Sequence, residues 1–138
     1  MSKTCYMSTV RRFEDFEAFT TARDFVRATG TTIRQPVFRP ERQLRWQIEK
    51  ALISILSNFA EGFERNGRQE FIQFLTIAKG STGEVKAQLI YAFDQGLLDG
   101  PAYQSLVSKA DCTLAQFGGL LKYLIEVAPD KAKARRRS

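Results

Sequence analysis

Two glutamates, Glu61 and Glu84, are the residues of this chain whose type and surroundings are best suited to chemistry. Each carboxylate stands between apolar residues and glycine, and a pair of such carboxylates can act as general acid and base or hold a divalent ion. The alternative is structural, because Glu61 can pair with Arg65 four residues later on a helix. The chain contains no histidine, which excludes histidine bases, catalytic triads and imidazole–zinc sites. We therefore expect no enzyme, no catalytic residue, no metal, no cofactor and no small-molecule substrate.

The two cysteines, Cys5 and Cys112, lie far apart and form no C-x-x-C motif, so a structural zinc or a redox pair is not expected. Isolated thiols without a secretory hydrophobic region are typical of the reducing cytosol. The longest apolar stretch, residues 51–56, already contains Ser54, whereas a membrane-spanning helix needs about 20 apolar residues. The sequence therefore predicts a soluble, cytoplasmic protein without a membrane partner.

Arginine residues cluster around two prolines that precede or begin a predicted helix. They are Arg34, Arg39, Arg42 and Arg45. The last two share a face early in that helix, where cations oppose the helix dipole, so helix stability gives no reason for them. We interpret the cluster as a phosphate-contacting edge, joined by Arg65 and Arg68 from the next turn. The alternative is a solvated face that neighbouring glutamates partly neutralise.

The formal net charge is +6 at pH 7, and the positive charge is unevenly distributed. It is concentrated in the N-terminal half and in the tail, which contains Lys131, Lys133 and Arg135 to Arg137. This distribution is compatible with RNA or DNA as a partner but does not demonstrate one. The tail either adds a non-specific electrostatic contact or only aids solubility.

Apolar residues recur at spacings of three and four along four segments, and no segment alternates with a period of two. The segments are 13–30, 40–64, 68–95 and 101–127. Gly96 is suited to end the third helix and Asp99 to cap the fourth. Because short loops force neighbouring helices to be antiparallel, the predicted fold is an all-α, antiparallel up-down-up-down four-helix bundle. The bundle spans 13–128, between a loose N-terminal arm (1–12) and a basic, disordered tail (129–138).

The second predicted helix is apolar on two sides. The inward stripe consists of Leu44, Ile48, Ala51, Leu52, Ile55, Phe59 and Phe63. The second stripe consists of Trp46, Ile53, Leu56 and Ala60. Such a helix lies either at the centre of a larger core or at a contact with another subunit. In so small a bundle we favour an oligomer interface.

The third and fourth predicted helices contain glycines within their periodic patterns. The inward residues of the third helix are Phe71, Leu75, Ala78, Val85, Leu89 and Phe93. Beside them lie Gly80 and Gly83, and the fourth helix contains Gly118 and Gly119. A mid-helix glycine costs roughly 1 kcal/mol relative to alanine, so these positions predict tight helix packing. A phosphate-binding loop is not expected, since no strand precedes them and no Walker or G-x-G-x-x-G pattern is present.

Two central motifs resemble a known family. They are SILSNFAEGF at 54–63 and EFIQFLTIAKGS at 70–81, followed by Glu84. RFEDFE at 12–17 and the stretch 91–98 also match the family's pattern. Over residues 12–125 the chain resembles the bacterial 23S rRNA intervening-sequence proteins, which are four-helix bundles.

The resemblance implies an assembly more than an activity. Some relatives are encoded within insertions in 23S rRNA genes, similar bundles form ring-shaped homopentamers, and a related accessory protein of diversity-generating retroelements binds nucleic acid. This sequence has Leu56 where the family often has proline, so a kink expected of relatives is in doubt. Its turn at 64–67 is also less basic than is common in the family, which puts a shared anion contact there in doubt.

Two functional hypotheses follow. In the first, the protein is a non-enzymatic, self-assembling bundle that binds RNA, DNA or a nucleic-acid-handling protein through its basic surface. In the alternative, it is a protein-interaction or scaffold module that binds no nucleic acid, and its basic groups only aid solubility.

Overall fold

The computed structural model describes residues 10–126, which fold into four helices with short connections. The helices are α1 (Glu17–Thr32), α2 (Arg42–Glu64), α3 (Arg68–Asp94) and α4 (Gly100–Glu126). Short 3₁₀ turns cover Phe13–Asp15 and Pro36–Phe38. No strand occurs in this part of the chain, which confirms the all-α prediction. Most of the predicted arm and the whole predicted tail lie outside the described residues.

The first helix begins later than its apolar pattern predicts. Phe16 is extended, with φ −72° and ψ 134°, and it separates the 3₁₀ turn from α1. Its side chain is almost completely buried, with its ring packed edge-on against those of Phe59, Phe63 and Phe71. The sequence predicted a continuous helix through Phe16. In the structure the backbone leaves helical geometry at this residue, and its ring is buried in the core.

The connection between α3 and α4 follows the predicted turn chemistry. Gly96 has a φ of +78°, and the amide of Leu97 donates to the carbonyl of Ala92 at 2.9 Å. This is the hydrogen bond of a Schellman motif, in which glycine adopts the left-handed conformation without a steric cost. The carboxylate of Asp99 accepts a hydrogen bond from the amide of Ala102 at 2.8 Å, so Asp99 is the predicted N-cap of α4.

Contacts between consecutive helices show that each helix is antiparallel to the next. Phe16, which immediately precedes α1, packs against Phe63 of α2, and Phe19 of α1 packs against Phe59, so α1 and α2 run in opposite directions. The same pattern joins α2 to α3, where Ser54 bonds Ser81 and Gly62 faces Phe74. It also joins α3 to α4, where Lys86 pairs with Asp111 and Arg68 reaches Leu124. The up-down-up-down order is therefore as predicted.

The core is built on an aromatic cluster around Phe59 of α2. The ring of this fully buried residue lies 5.4 to 5.8 Å, centroid to centroid, from those of Phe16, Phe19, Phe71 and Phe117. Edge-to-face pairs at such distances add about 0.5–1.5 kcal/mol each to the burial of their surface. The cluster brings together rings from all four helices or their flanking residues.

The predicted inward stripes are confirmed with one exception. The inward residues of α2 and α3 are buried or half-buried, apart from Phe93. Phe93 is 37% exposed and stacks on Tyr103 of α4 with ring centroids 4.2 Å apart. The buried row at the end of α3 runs from Leu89 to Ala92, and Phe93 lies to one side of this row. Its prediction as a core residue is therefore wrong.

The prediction of tight packing at the helical glycines is also wrong within the chain. A Cβ atom added at Gly80, Gly83 or Gly119 would meet no atom of the described structure within 4 Å, and at Gly118 only Lys79 Nζ at 3.9 Å. These positions face open space because they lie outside the inward stripes of α3 and α4. The tightly packed helical glycine is Gly62 of α2, where an added Cβ would lie 2.7 Å from Phe74 Cβ.

Replacing Gly62 by alanine is expected to lower the free energy of unfolding. A methyl group there forces α2 and α3 apart, and overpacking of this kind costs about 1–3 kcal/mol. The matched control Gly119→Ala enters open space and is expected to raise the free energy of unfolding by about 0.5–1 kcal/mol. Urea unfolding followed by circular dichroism measures both variants. Equal and positive shifts would contradict close contact between α2 and α3 at Gly62.

No helix among residues 10–126 combines the length and the hydropathy needed to cross a membrane.

Candidate nucleic-acid interface

The arginine cluster, defined as Arg34, Arg39, Arg42 and Arg45, lies at the end of the bundle where α1 connects to α2. The connection is fixed by two apolar side chains, Ile33 and Phe38, which are fully buried. Because these anchors alternate with the basic residues, the side chains of Arg34 and Arg39 remain exposed. The fold thus holds the first half of the cluster on an anchored connection.

The second half of the cluster lies in the first turn of α2. This turn contains no acidic residue, and no side chain caps the helix. Arg42 is exposed and Arg45 is half-buried, and each places a cation near the positive end of the helix dipole. Such a placement costs roughly 0.3–1 kcal/mol per cation at an exposed site. A bound anion would relieve this repulsion, since helix N-termini and guanidinium groups both attract phosphate.

None of the four guanidinium groups forms an ion pair or a side-chain hydrogen bond with another part of the described chain. The Nε atom of Arg45 is buried and has no hydrogen-bond partner among residues 10–126. Glu41 and Glu49, the nearest acidic residues in the sequence, pair with none of the four. The cluster therefore presents uncompensated positive charge, which argues against a neutralised face.

Other basic residues show that carboxylate partners are used elsewhere in the molecule. The ammonium nitrogen of Lys86 lies 2.6 Å from a carboxylate oxygen of Asp111, and that of Lys109 lies 2.6 Å from a carboxylate oxygen of Asp24. Both pairs join neighbouring helices. At the start of the described chain, the hydrogen bond from Arg12 to Asp15, with the charge of that carboxylate, raises the pKa of Arg12. Other cations, such as Arg23, Arg27 and Lys122, also have no ion pair among residues 10–126. The arginine cluster is therefore distinguished by the grouping of four such guanidinium groups at one end of the bundle.

Arg65 and Arg68 do not belong to the cluster, and their inclusion in the predicted phosphate-contacting edge is wrong. Arg65 stands 20 residues after Arg45 along the α2 direction, or about 30 Å at 1.5 Å per residue, at the opposite end of the bundle. Its guanidinium pairs with Glu61 at 2.8 Å. Arg68 donates to the carbonyl oxygen of Leu124 at 2.7 Å, so it satisfies a carbonyl near the end of α4.

The two glutamates considered for chemistry are not brought together. Ser54 and Ser81 lie opposite each other, with their hydroxyl oxygens 2.8 Å apart. Glu61 lies seven residues beyond Ser54, and Glu84 lies three residues beyond Ser81 in the opposite direction, so about 15 Å of helix separates their levels. No group of three potential metal ligands is present in the described part of the chain. Glu61 instead has the structural role of pairing with Arg65.

A second surface feature adjoins the cluster: the α2–α3 face, defined by Trp46 and Ile53 on α2 and Ile77 on α3. These side chains are 56%, 67% and 50% exposed. Between the helices lies a cleft of about 300 Å³ with a floor of small residues, and Trp46 lines this cleft whereas Ile53 and Ile77 do not. The floor consists of Ala51, Ser54 and Ser81.

The predicted interface stripe divides between this face and the core. Trp46 and Ile53 are exposed, whereas Leu56 and Ala60 are half-buried, and Leu56 packs against the core. Sequence reasoning missed Ile77, although its position off the inward stripe of α3 is a signal of outward exposure. An exposed apolar face of this kind is typical of an interaction surface.

The architecture defines the class of protein: an antiparallel four-helix bundle with uncompensated arginines at one end. The model of the 23S rRNA-intervening sequence protein family matches residues 14–119, and the chain belongs to this family. The match covers all of α1 to α3 and most of α4, including both central motifs. No curated protein matches the chain.

Proposed function

We propose that the protein is a non-enzymatic, self-assembling helical bundle that binds RNA or DNA, or a nucleic-acid-handling protein, through the arginine cluster. The observation that carries this proposal is the grouping, at one end of the bundle, of four guanidinium groups that have no carboxylate partner among residues 10–126. Arginine forms strong, bidentate hydrogen bonds with phosphate. Its role here is charge neutralisation, without bond making and without a cofactor or a small-molecule substrate.

Nucleic acid is the partner best matched to this charge distribution. Each phosphate contact releases condensed counterions, which makes a set of arginines an effective binding surface without base recognition. A single small anion would engage only part of a cluster that extends from the α1–α2 connection into the first turn of α2. The proposal therefore concerns the phosphate backbone and assigns no preferred base sequence.

Self-assembly is supported by the α2–α3 face. Full burial of a large apolar side chain stabilises a structure by about 1.5–3 kcal/mol. Because the three residues of this face are exposed, a single chain does not gain most of this stabilisation. The face carries charges of both signs, because Lys50 and Glu84 line the cleft from opposite helices. Neither forms an ion pair among residues 10–126, and the ammonium of Lys50 lies over the Trp46 ring, 4.5 Å from its centre. The resemblance to relatives that form rings gives a homopentamer as the proposed assembly.

Light scattering of the purified full chain, with the absorbance ratio of the same peak, tests the proposal. We expect a mass that is a multiple of 15.7 kDa and retained nucleic acid that high salt removes, since counterion release weakens such binding as salt rises. A single-chain mass would contradict self-assembly. A clean-protein ratio, together with no binding to added oligonucleotides at low salt, would contradict nucleic-acid binding and favour the scaffold alternative.

A further inference from the structure

Trp46 lies between two cations on the exposed side of α2. Arg42 precedes it by four residues and Lys50 follows it by four, so the three side chains form one row along the helix. All three are exposed, and 56% of the Trp46 side chain is open to solvent. The arginine cluster therefore continues along α2 into an exposed aromatic ring and a further cation.

The cation that follows the ring contacts its face. The ammonium of Lys50 lies 4.5 Å from the centre of the Trp46 ring, which is within the range of a cation–π contact. Lys50 forms no ion pair among residues 10–126, so its charge remains available to an anion. A planar group stacked on Trp46 would thus have a cation about 6 Å away along the helix axis on each side.

An aromatic ring exposed among cations is the construction that single-stranded nucleic acids require. Their unpaired bases stack on such a ring whatever the base, while the cations contact the backbone. In a duplex the bases are enclosed in the stack, so a duplex reaches the cations but offers no base to the ring. Trp46 therefore favours a single strand over a duplex.

Trp46 is separable from the rest of the α2–α3 face. It lines the cleft, whereas Ile53 and Ile77 do not, and Ile53 lies about 10 Å further along α2. These two isoleucines remain available to a second copy when a base occupies Trp46. Glu84 lines the cleft from α3 and repels phosphate, which confines the strand to the α2 side.

We infer that the arginine cluster binds single-stranded nucleic acid, with one base stacked on Trp46 and the adjoining phosphates on Arg42 and Lys50. This inference rests on the proposed function and adds the class of nucleic acid. Because stacking on an aromatic ring tolerates any base, it assigns no preferred sequence.

The test uses the fluorescence of Trp46, which is the only tryptophan of the chain and reports the contact without any substitution. The wild-type full chain is titrated at low salt with a short oligothymidylate, an abasic oligomer of the same length and charge, and a duplex. We expect the oligothymidylate to quench the fluorescence and to bind on the order of 10-fold more tightly than the abasic oligomer. The abasic oligomer and the duplex are expected to bind without this quenching.

Substitutions at the ring separate stacking from charge. Trp46→Ala is expected to bind oligothymidylate and the abasic oligomer equally, with the wild-type affinity for the abasic one. Trp46→Phe retains an aromatic face and is expected to retain a preference for oligothymidylate. Ile53→Ala is the matched control, because Ile53 is 67% exposed on the same helix, and it is expected to keep the full preference. Circular dichroism and light scattering check the fold and the mass of each variant.

The failures are distinguishable. Equal wild-type affinities for oligothymidylate and the abasic oligomer, without selective quenching, would overturn the stacking site and leave the proposed function standing. This comparison decides the matter even if Trp46→Ala does not fold. A Trp46→Ala chain with a lower mass and an unchanged preference would assign the ring to copy contact and also overturn the inference. Binding of none of the three nucleic acids would refute the proposed function, and the inference with it.

Discussion

Replacing Arg39, Arg42 and Arg45 together by glutamine is expected to lower nucleic-acid affinity on the order of 100-fold at 0.1 M salt. Each lost phosphate contact removes about 0.9 from the salt slope on duplex DNA, so the slope becomes shallower by roughly 2.7 for one cluster. The fold is expected to persist, since none of these side chains makes an ion pair in the described structure. Fluorescence titration of a labelled duplex over a salt series measures the change.

A control with the same loss of charge separates local contact from net charge. Arg11→Gln, Arg23→Gln and Arg65→Gln together remove three positive charges from positions outside the cluster, and Arg65 is already paired with Glu61. We expect this variant to retain most of the wild-type slope. An equal loss in the two triple variants would show that binding depends on overall charge and would contradict an interface at the arginine cluster.

Replacing Phe59 by alanine is expected to lower the free energy of unfolding by about 3–5 kcal/mol. Its fully buried ring contacts four other phenylalanine rings, so truncation removes apolar burial and leaves a cavity among all of them. The free energy of unfolding of a typical domain is about 5–15 kcal/mol, so this loss is a large fraction of it. Urea unfolding at one fixed protein concentration measures it, because assembly also contributes to stability.

Phe93→Ala is the matched control for that loss. The ring of Phe93 is partly exposed and stacks on Tyr103 alone, so its removal is expected to cost less than about 2 kcal/mol. Comparable losses in the two variants would contradict the placement of the core around Phe59.

Helix positions and inward stripes could be predicted from the sequence because they depend on local periodicity. The predicted second helix, 40–64, compares with Arg42–Glu64, and the third, 68–95, with Arg68–Asp94. The turn residues Gly96 and Asp99 were predictable for the same reason, since each acts on backbone groups a few residues away. The late start of α1 was not predictable locally, because it accompanies the burial of Phe16 among rings distant in sequence.

The candidate site was predictable only in part. Clustering in sequence indicated Arg42 and Arg45, and the dipole argument gave a reason to consider them functional. The prediction grouped Arg65 and Arg68 with the arginine cluster, which is wrong. The turn that follows α2 lies a full helix length from the connection that precedes it, although the two are consecutive loops in the sequence. The error at the glycines has a related cause, since periodicity places residues on one face but does not show which face a neighbouring helix covers.

The central claim is that uncompensated arginines at one end of the bundle contact phosphate. The most direct test is the affinity of the wild-type full chain for a labelled duplex, measured from 50 mM to 200 mM salt. The predicted result is a linear fall of log affinity with log salt, with a slope of about −2.7 or steeper, as expected for at least three phosphate contacts. A flat salt dependence, or no binding at 50 mM salt, would contradict the claim.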